Sequence, residues 1–502
     1  MVYTAEPLEY PEGTTLPELL LERNVNNVPP DMPAIIDGVS GATVYNYSSF
    51  RATVRRVANY LCQDINLPRG AVVGILAANN GLSRAKLDYS PDLYVLSPDS
   101  SHPAPWIHFD LGHIIATGAE KSDTVEPRSN TTRSDLAFLC FSSGTTGPMK
   151  GVYLTHENII TNIFQHRQRL PEMFQNHQTV AALITPFFHI LGLGVFVCQY
   201  ICQVRVLRVP VSLYHTNPGN NFRGIPILPI STLYPPIALR LLQATTTSTT
   251  DFSSLRGLIN AAAPLKEIVS SELSRRMGCN ITQWYGMTEA SPSVISQRED
   301  EVEITGTVGR LLPGMSMKIV DSEGEVVYPN REIECEPNKP GELLIQGSNL
   351  MSGYVQNTES NDAFIDGYFK TGDIGYVNEA GYVFLVGRSK ELIKVKGHQV
   401  APADLESILL SHPKVCDAAV KGVYFPEQET EYPAAYITID SAQTEPGQLQ
   451  AEVEAFVNNQ VAKYKWLRSG VHIIPAIPRN ASGKILRHQL PDLKTSQRQT
   501  KI

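Results

Sequence analysis

Short apolar runs separated by helical stretches recur along this chain from Val72 onward, and that alternation admits few architectures. The runs are AVVGILA, LYVLSP, LAFLCF, VAALIT, VRVLRV, GIPILPI and LRGLINA. Such runs, bounded by Gly, Pro and polar clusters, read as buried strands. Strands alternating with helices predict an α/β domain of layered, largely parallel sheets. Gly306–Val327 and Gly341–Gly347 depart from the pattern and read as short antiparallel strands of a small β-barrel-like part. Gly387–Lys390 is the predicted boundary to a second unit, a small α+β lid. It comprises helix Ala403–Leu410, strands near Val415–Tyr424 and Ala434–Ile439, helix Leu449–Lys463 and strand Val471–Ile474. The expected domains are therefore 1–388 and 389–502, two units being what 502 residues suggest.

Two places strain this reading. Val72–Ala77 and Leu93–Ser97 are separated by about fifteen residues, AANNGLSRAKLDYSPD, too broken by proline to supply the helix of a parallel crossover. Ala181–Cys202 has no Asp, Glu, Lys or Arg, yet it contains Pro186, His189, Gln199 and two glycines. A strand followed by a core helix fits it better than a membrane span.

One loop carries chemistry. Phe141–Tyr153, FSSGTTGPMKGVY, places Ser142, Ser143, Gly144, Thr145, Thr146 and Gly147 after an apolar strand, with Lys150 following. Small residues let backbone N–H groups approach anionic oxygens, hydroxyls add donors, and a lysine adds a mobile positive charge. Gly151 after Lys150 excludes the G-x-x-x-x-G-K-[ST] phosphate loop. By itself the segment reads either as a polyphosphate cradle or as a polar surface loop.

Further motifs follow in order: YGMTE at Tyr285–Glu289, YFKTGD at Tyr368–Asp373, GRSKELIKVK at Gly387–Lys396 and NASGKILR at Asn480–Arg487. As an ordered set, from about Ser134 to Gln489, the sequence resembles the adenylate-forming superfamily of acyl-CoA synthetases, 4-coumarate–CoA ligases, luciferases and peptide-synthetase adenylation domains. Relative to that family, the chain looks shortened around 78–92.

The resemblance implies a two-step reaction. A carboxylate attacks the α-phosphorus of ATP, pyrophosphate leaves, and the acyl-AMP is passed to a thiol. Such a transfer depends on positioning and charge neutralisation. Ser142–Gly147 and Lys150 would hold the β- and γ-phosphates. Glu289 would hold Mg²⁺, with Thr288 beside the α-phosphate. Tyr285, Gly286 and Ala262 would line the nucleotide, and Asp373 with Arg388 would take the ribose hydroxyls. Lys484 would meet the negative charge of the adenylation step. Lys394 and Gln399 would serve thiolation, with Lys396 and Gly397 at the coenzyme A tunnel. His189 would screen the site, and Lys390 would be the hinge of a rotating lid. Read without the family, Glu289 could be a helix-start carboxylate, while His189 reads as a satisfied core histidine and Lys484 as a solvated surface lysine. Ala261 and Trp284 stand where coumarate ligases place glycine, so a hydroxycinnamate is not the expected acid.

The expected function is an ATP- and Mg²⁺-dependent acid–coenzyme A ligase, serving specialised metabolism. The alternatives are an adenylation enzyme that loads a carrier protein in trans and a non-catalytic acyl- or nucleotide-binding homologue. A net charge of −8 without a basic block argues against a nucleic-acid partner. Seven scattered cysteines complete no zinc set and read as free thiols. The N-terminus lacks the pattern of a secretory signal. The expected address is cytoplasmic, or peroxisomal if Thr500-Lys501-Ile502 is read like the Ser-Lys-Leu signal.

Overall fold

The apolar runs assemble mainly into one nine-stranded sheet. The computed structural model describes residues 2–23, 28–37, 42–64, 72–76, 92–96, 107–110, 131–142, 149–174, 180–182, 189–194, 206–209, 230–233, 238, 241–242, 253, 255–261, 265, 267–320, 338–355, 362–439, 446–479 and 484–492. The interior of this sheet is parallel: β2 (Pro33–Asp37), β10 (Val206–Val209), β9 (Val180–Ala182), β11 (Ile230–Leu233), β12 (Gly257–Asn260) and β13 (Asn280–Gly286). Antiparallel strands close both ends, β3 (Thr43–Asn46) at one, β14 (Ser293–Ser296) and β15 (Arg310–Leu311) at the other. All four residues of β12 are buried, as expected of a strand covered on both faces.

Helix packing separates the two faces of β12–β13. Leu258 and Ile281, register partners, pack with Leu273 and Met277 of α3 (Glu267–Met277). On the other face Trp284 stacks on His166 of α2 (His156–Arg169). The buried side of α2 is largely polar, and its amides are used. Asn162 donates to Ser293 O (3.0 Å), Gln165 to Pro313 O (2.9 Å), and Arg169 grips both oxygens of Glu301 at 2.7 Å.

The barrel-like part is, among the described residues, an open six-stranded antiparallel sheet. Its order is β1 (Tyr3–Thr4), β16 (Ser316–Val320), β17 (Gly341–Gln346), β20 (Tyr368–Val377) and β19 (Phe364–Ile365), with β21 (Val383–Arg388) also on β20. A small sheet sets β8 (Lys150–Thr155) between β7 (Leu136–Ser142) and β18 (Gly353–Tyr354).

Two expectations need correction. The apolar run in β7 is not a buried strand: Leu136, Leu139 and Phe141 are exposed, and within β7 only Cys140 is buried. It is an edge strand, and edge strands need not be covered on both faces. The run β4 (Val72–Leu76) pairs antiparallel with β5 (Asp92–Leu96), which pairs antiparallel with β6 (Ile107–Asp110). Antiparallel neighbours need no crossover, so the short connection carries no topological conflict. Residues 77–91 themselves lie outside the described part.

Beyond Arg388 the chain forms hairpin β22 (Ile393–Val395)–β23 (His398–Val400), then α4 (Pro402–Leu410). Sheet β24 (Asp417–Phe425), β25 (Thr430–Thr438) and β26 (Val471–Ile473) packs with α5 (Pro446–Asn458). Its core, from Ile393 to Leu490, shares no residue with the main core from Leu16 to Val383. The longest expected helix of this unit ends at Asn458 rather than Lys463. No helix among the described residues is long and apolar enough to cross a membrane.

Candidate active site

Asp373 takes its position from an irregularity in β20. Gly372 has φ +69°, a conformation that costs glycine little, and the β17–β20 register shifts beside it. Gly372 N–H donates to Glu342 Oε1 at 3.2 Å. The Thr371 hydroxyl donates to Leu343 O (2.8 Å) and accepts from Asp373 N–H (3.0 Å). The buried Asp373 carboxylate is then held from two sides. Tyr285 Oη donates to Oδ2 at 2.6 Å, and Arg388 Nε, directly across the β20–β21 ladder, lies 2.9 Å from Oδ1. Burial, and next the Asp373 charge, push Tyr285 well above the usual phenol range, so it remains the donor. Burial opposes the charge on Arg388, but Asp373, Tyr285, Glu391 and Glu289 raise its pKa and keep it a cation. A carboxylate offers about four lone-pair positions, so each oxygen of Asp373 keeps one for a further donor.

Glu289 is set by a one-turn 3₁₀ helix, Thr288–Ala290, closed by Ser291 at φ 67°. Residues 349–354 pin this turn. Asn349 donates to Ala290 O and Ser293 O at 2.9 Å, and Met351 N–H donates to Glu289 O at 2.8 Å. The Tyr354 hydroxyl donates to Glu289 Oε1 at 2.9 Å. Gly286, two residues before Thr288, leaves no room for a side chain. A Cβ there would sit 2.1 Å from Pro292 O.

Lys484, from the far end of the chain, reaches the same place. It is half-buried, and its pKa is lowered to about 8 by burial first and by Arg388 second. Glu391, Asp373 and Glu289 pull the other way. The structure therefore brings Lys484, Arg388, Asp373, Tyr285 and Glu289 within electrostatic reach of one another. Lys150 joins them through Tyr354, its Nζ lying 5.0 Å from the ring centroid. Thr288 is buried beside Glu289, and Ser142 ends β7 opposite Lys150 in the ladder.

Among the other expected residues, Lys394 and Gln399 are register partners on the β22–β23 hairpin, whose turn is Lys396–Gly397 at φ 46° and 84°. All four are exposed, and the hairpin is docked on β25 through Glu431 and Thr430. Lys390 is exposed in the short turn Ser389–Glu391. Trp284, next to Tyr285 on β13, points to the opposite face and stacks on His166 at 4.3 Å. Ala261 is buried one residue beyond β12. His189 caps a turn over 190–194 and accepts from Leu191 N–H at 3.3 Å. Burial lowers its pKa, so it is neutral near pH 7. Ser143, Gly144, Thr145, Thr146, Gly147 and Ala262 lie outside the described residues.

Two residues went unread in the sequence. Tyr354 sits in SNLMSGYV, an unremarked Gly-Tyr pair. His166 lies on a helix whose buried residues mix Ile159, Ile160, Ile163 and Phe164 with polar side chains, and nothing in that pattern singles out a histidine.

A family model described as AMP-binding enzyme matches residues 97–355, and one described as AMP-binding enzyme C-terminal domain matches residues 404–484. The chain belongs to the AMP-binding enzyme family. A curated relative from Dictyostelium discoideum, named Probable 4-coumarate–CoA ligase 1, is 38% identical over 374 residues. The match covers 72% of this chain and 64% of that relative, so the chain spans less than two thirds of its length. The 4-coumarate–CoA ligase-like 9 of Oryza sativa subsp. japonica is 31% identical over 97% of this chain and 94% of its own. Among solved structures, ATP-bound MatB from Rhodopseudomonas palustris shares the fold, with a TM-score of 0.76 at 24% identity. It covers 95% of this chain and 98% of its own. The O-succinylbenzoate coenzyme A synthetase of Bacillus subtilis, in complex with AMP, superposes with a TM-score of 0.64 at 25% identity. It covers 77% of this chain and 74% of its own.

In this family member the AMP-binding match contains Glu289 and Lys150, and the C-terminal match ends on Lys484. Asp373 and Arg388 lie between the two matched stretches. The site is thus assembled from both matched stretches and the segment that joins them.

Proposed function

We propose that the chain is an ATP-dependent acid–coenzyme A ligase that forms an acyl-AMP and then a thioester, built of units 1–388 and 389–502. The observation that carries this reading is the Asp373–Arg388–Tyr285 cluster, with Lys484 and Glu289 within electrostatic reach of it. The free positions on Asp373 suit the two ribose hydroxyls, with Arg388 a further donor. Lys484 offers a positive charge where the attacking carboxylate and the bridging oxygen meet. Lys150 and the loop before it would take the β- and γ-phosphates. Glu289 suits Mg²⁺, since its Oε2 remains beside an Oε1 fixed by Tyr354. Mg²⁺ is commonly held by one or two carboxylates together with substrate phosphates. Bound there, the ion would neutralise the charge of the departing pyrophosphate.

Thiolation is assigned to Lys394 and Gln399, which share one face of the exposed hairpin. A lid that turns about Lys390 would exchange that face with Lys484. Ala261 would restrict the acid to one smaller than a hydroxycinnamate, and Trp284 would add to this if the acid lies on the His166 face of β13. The CoA-ligase names of the relatives support the reading, and coenzyme A, ATP and a small carboxylic acid are the partners it requires.

The test separates the half-reactions. Lys484→Ala should lose acid-dependent pyrophosphate exchange by roughly 10²–10³-fold while still converting supplied acyl-AMP with coenzyme A. Lys394→Ala should do the reverse. Equal loss of both steps in both variants would overturn the division of labour, and absence of any exchange over a broad acid panel would overturn the enzyme reading.

A further inference from the structure

We infer that Tyr354 is a positioning residue that ties the phosphate-side lysine to the metal-side glutamate. This rests on the function proposed above. One buried side chain serves two groups of opposite charge: its hydroxyl donates to Glu289 Oε1 at 2.9 Å, and Lys150 Nζ lies 5.0 Å from the centre of its ring. Neither contact needs the other, so their convergence on one tyrosine is two observations. The hydroxyl fixes one oxygen of Glu289 and leaves the second to face a cation. The ring offers its negative face to the ammonium group.

The backbone holds Tyr354 too firmly for these contacts to be incidental to a mobile side chain. In β18, Gly353 and Tyr354 pair with Tyr153 and Val152 of β8, the strand that begins at Lys150. Ser352 N–H donates to Tyr153 O (3.1 Å) and Val355 N–H to Gly151 O (2.9 Å), closing the ladder on both sides. A few residues earlier, Met351 N–H holds the backbone of Glu289 itself at 2.8 Å. Residues 351–355 therefore form a rigid strap whose ends are bonded to the glutamate turn and to the lysine strand. Tyr354 is the side chain that carries this rigidity to the two charged tips. Groups that orient a metal-ligating carboxylate in this manner commonly govern metal affinity by roughly 10–100-fold.

The two functions of the side chain can be removed one at a time. Tyr354→Phe keeps the ring and loses the hydroxyl; Tyr354→Leu loses both. Calorimetric titration of the full chain with ATP, with and without Mg²⁺, reads each contribution without turnover. Tyr354→Phe should leave Mg²⁺-free ATP affinity within about twofold and cut the gain in affinity that Mg²⁺ brings by roughly tenfold or more. Tyr354→Leu should also weaken Mg²⁺-free ATP binding, by about two- to fivefold. A packing role would act on both conditions alike. In a Glu289→Gln background, Tyr354→Phe should have little further effect on the Mg²⁺ gain, since its target is gone. An unchanged Mg²⁺ gain in Tyr354→Phe, or a full additive effect in the Glu289→Gln background, overturns the inference while leaving the proposed function standing. If the unaltered chain binds no ATP under either condition, both fall together.

Discussion

A lysine in water holds its proton to about pH 10.4, but burial and the Arg388 cation lower Lys484 to about 8. The proposed adenylation step needs the charged form. Charge is nearly full a unit or more below pH 8, is half lost at about pH 8 and is gone well above it, so kcat/KM for pyrophosphate exchange should fall through about pH 8. A solvated lysine would sustain the rate about two units further. Lys484→Arg should abolish the alkaline fall, because guanidinium stays charged, while lowering the plateau through its different geometry. A profile that is flat to about pH 9.5 in the unaltered enzyme would exclude Lys484 as the charged group. The sequence points to Lys484 through its place in NASGKILR. Its weakened hold on a proton was invisible there, because the cause is desolvation together with an arginine almost a hundred residues away. Asp373 shows the same division. Its place after Thr371–Gly372 could be read, whereas Tyr285 as its second partner could be found only in the folded chain.

At the scale of elements, α2 shows how one residue can start a helix and anchor it. Asn158 and Thr155 form a reciprocal capping box, and the Asn158 amide also donates to Ser348 O (2.8 Å) and Leu350 O (2.7 Å). Leu350 belongs to the segment that pins the Glu289 turn, and Ser348 directly precedes it. Asn158→Ala removes half the box and strands two carbonyls, at a cost of about 2–4 kcal/mol. Denaturant unfolding should show that loss, and ATP affinity should fall with it. A loss under about 0.5 kcal/mol would mean that the cap and the carbonyls find other partners. Strand positions were legible in the apolar runs, but strand direction was not. The spacing between β4 and β5 suits a hairpin as well as a damaged crossover, and pairing decides between them. The exposed β7 carries the same lesson: an apolar run records what can be buried, and only the neighbours decide what is.

For the whole molecule, the decisive property is that two separate cores meet at a short exposed turn around Lys390. A proline there is compatible with the first turn of a helix but restricts both its own φ and the residue before it. Lys390→Pro should therefore hold the present pose, sparing pyrophosphate exchange while slowing thioester formation from supplied acyl-AMP by roughly 10²-fold. Parallel loss of both half-reactions would argue that the turn serves folding rather than rotation. By itself the sequence determined the α/β class, the ordered motifs and the identity of most charged groups now gathered around Asp373. These are local quantities: apolar periodicity, loop composition and short motifs survive in one dimension. Tertiary structure alone decided that Lys484 comes within electrostatic reach of Arg388, Asp373 and Glu289, that Trp284 stacks on His166, and that Tyr354 joins Glu289 to Lys150. Each of these depends on which distant segments pack together and which face of a strand turns inward, and both are settled by long-range burial and pairing.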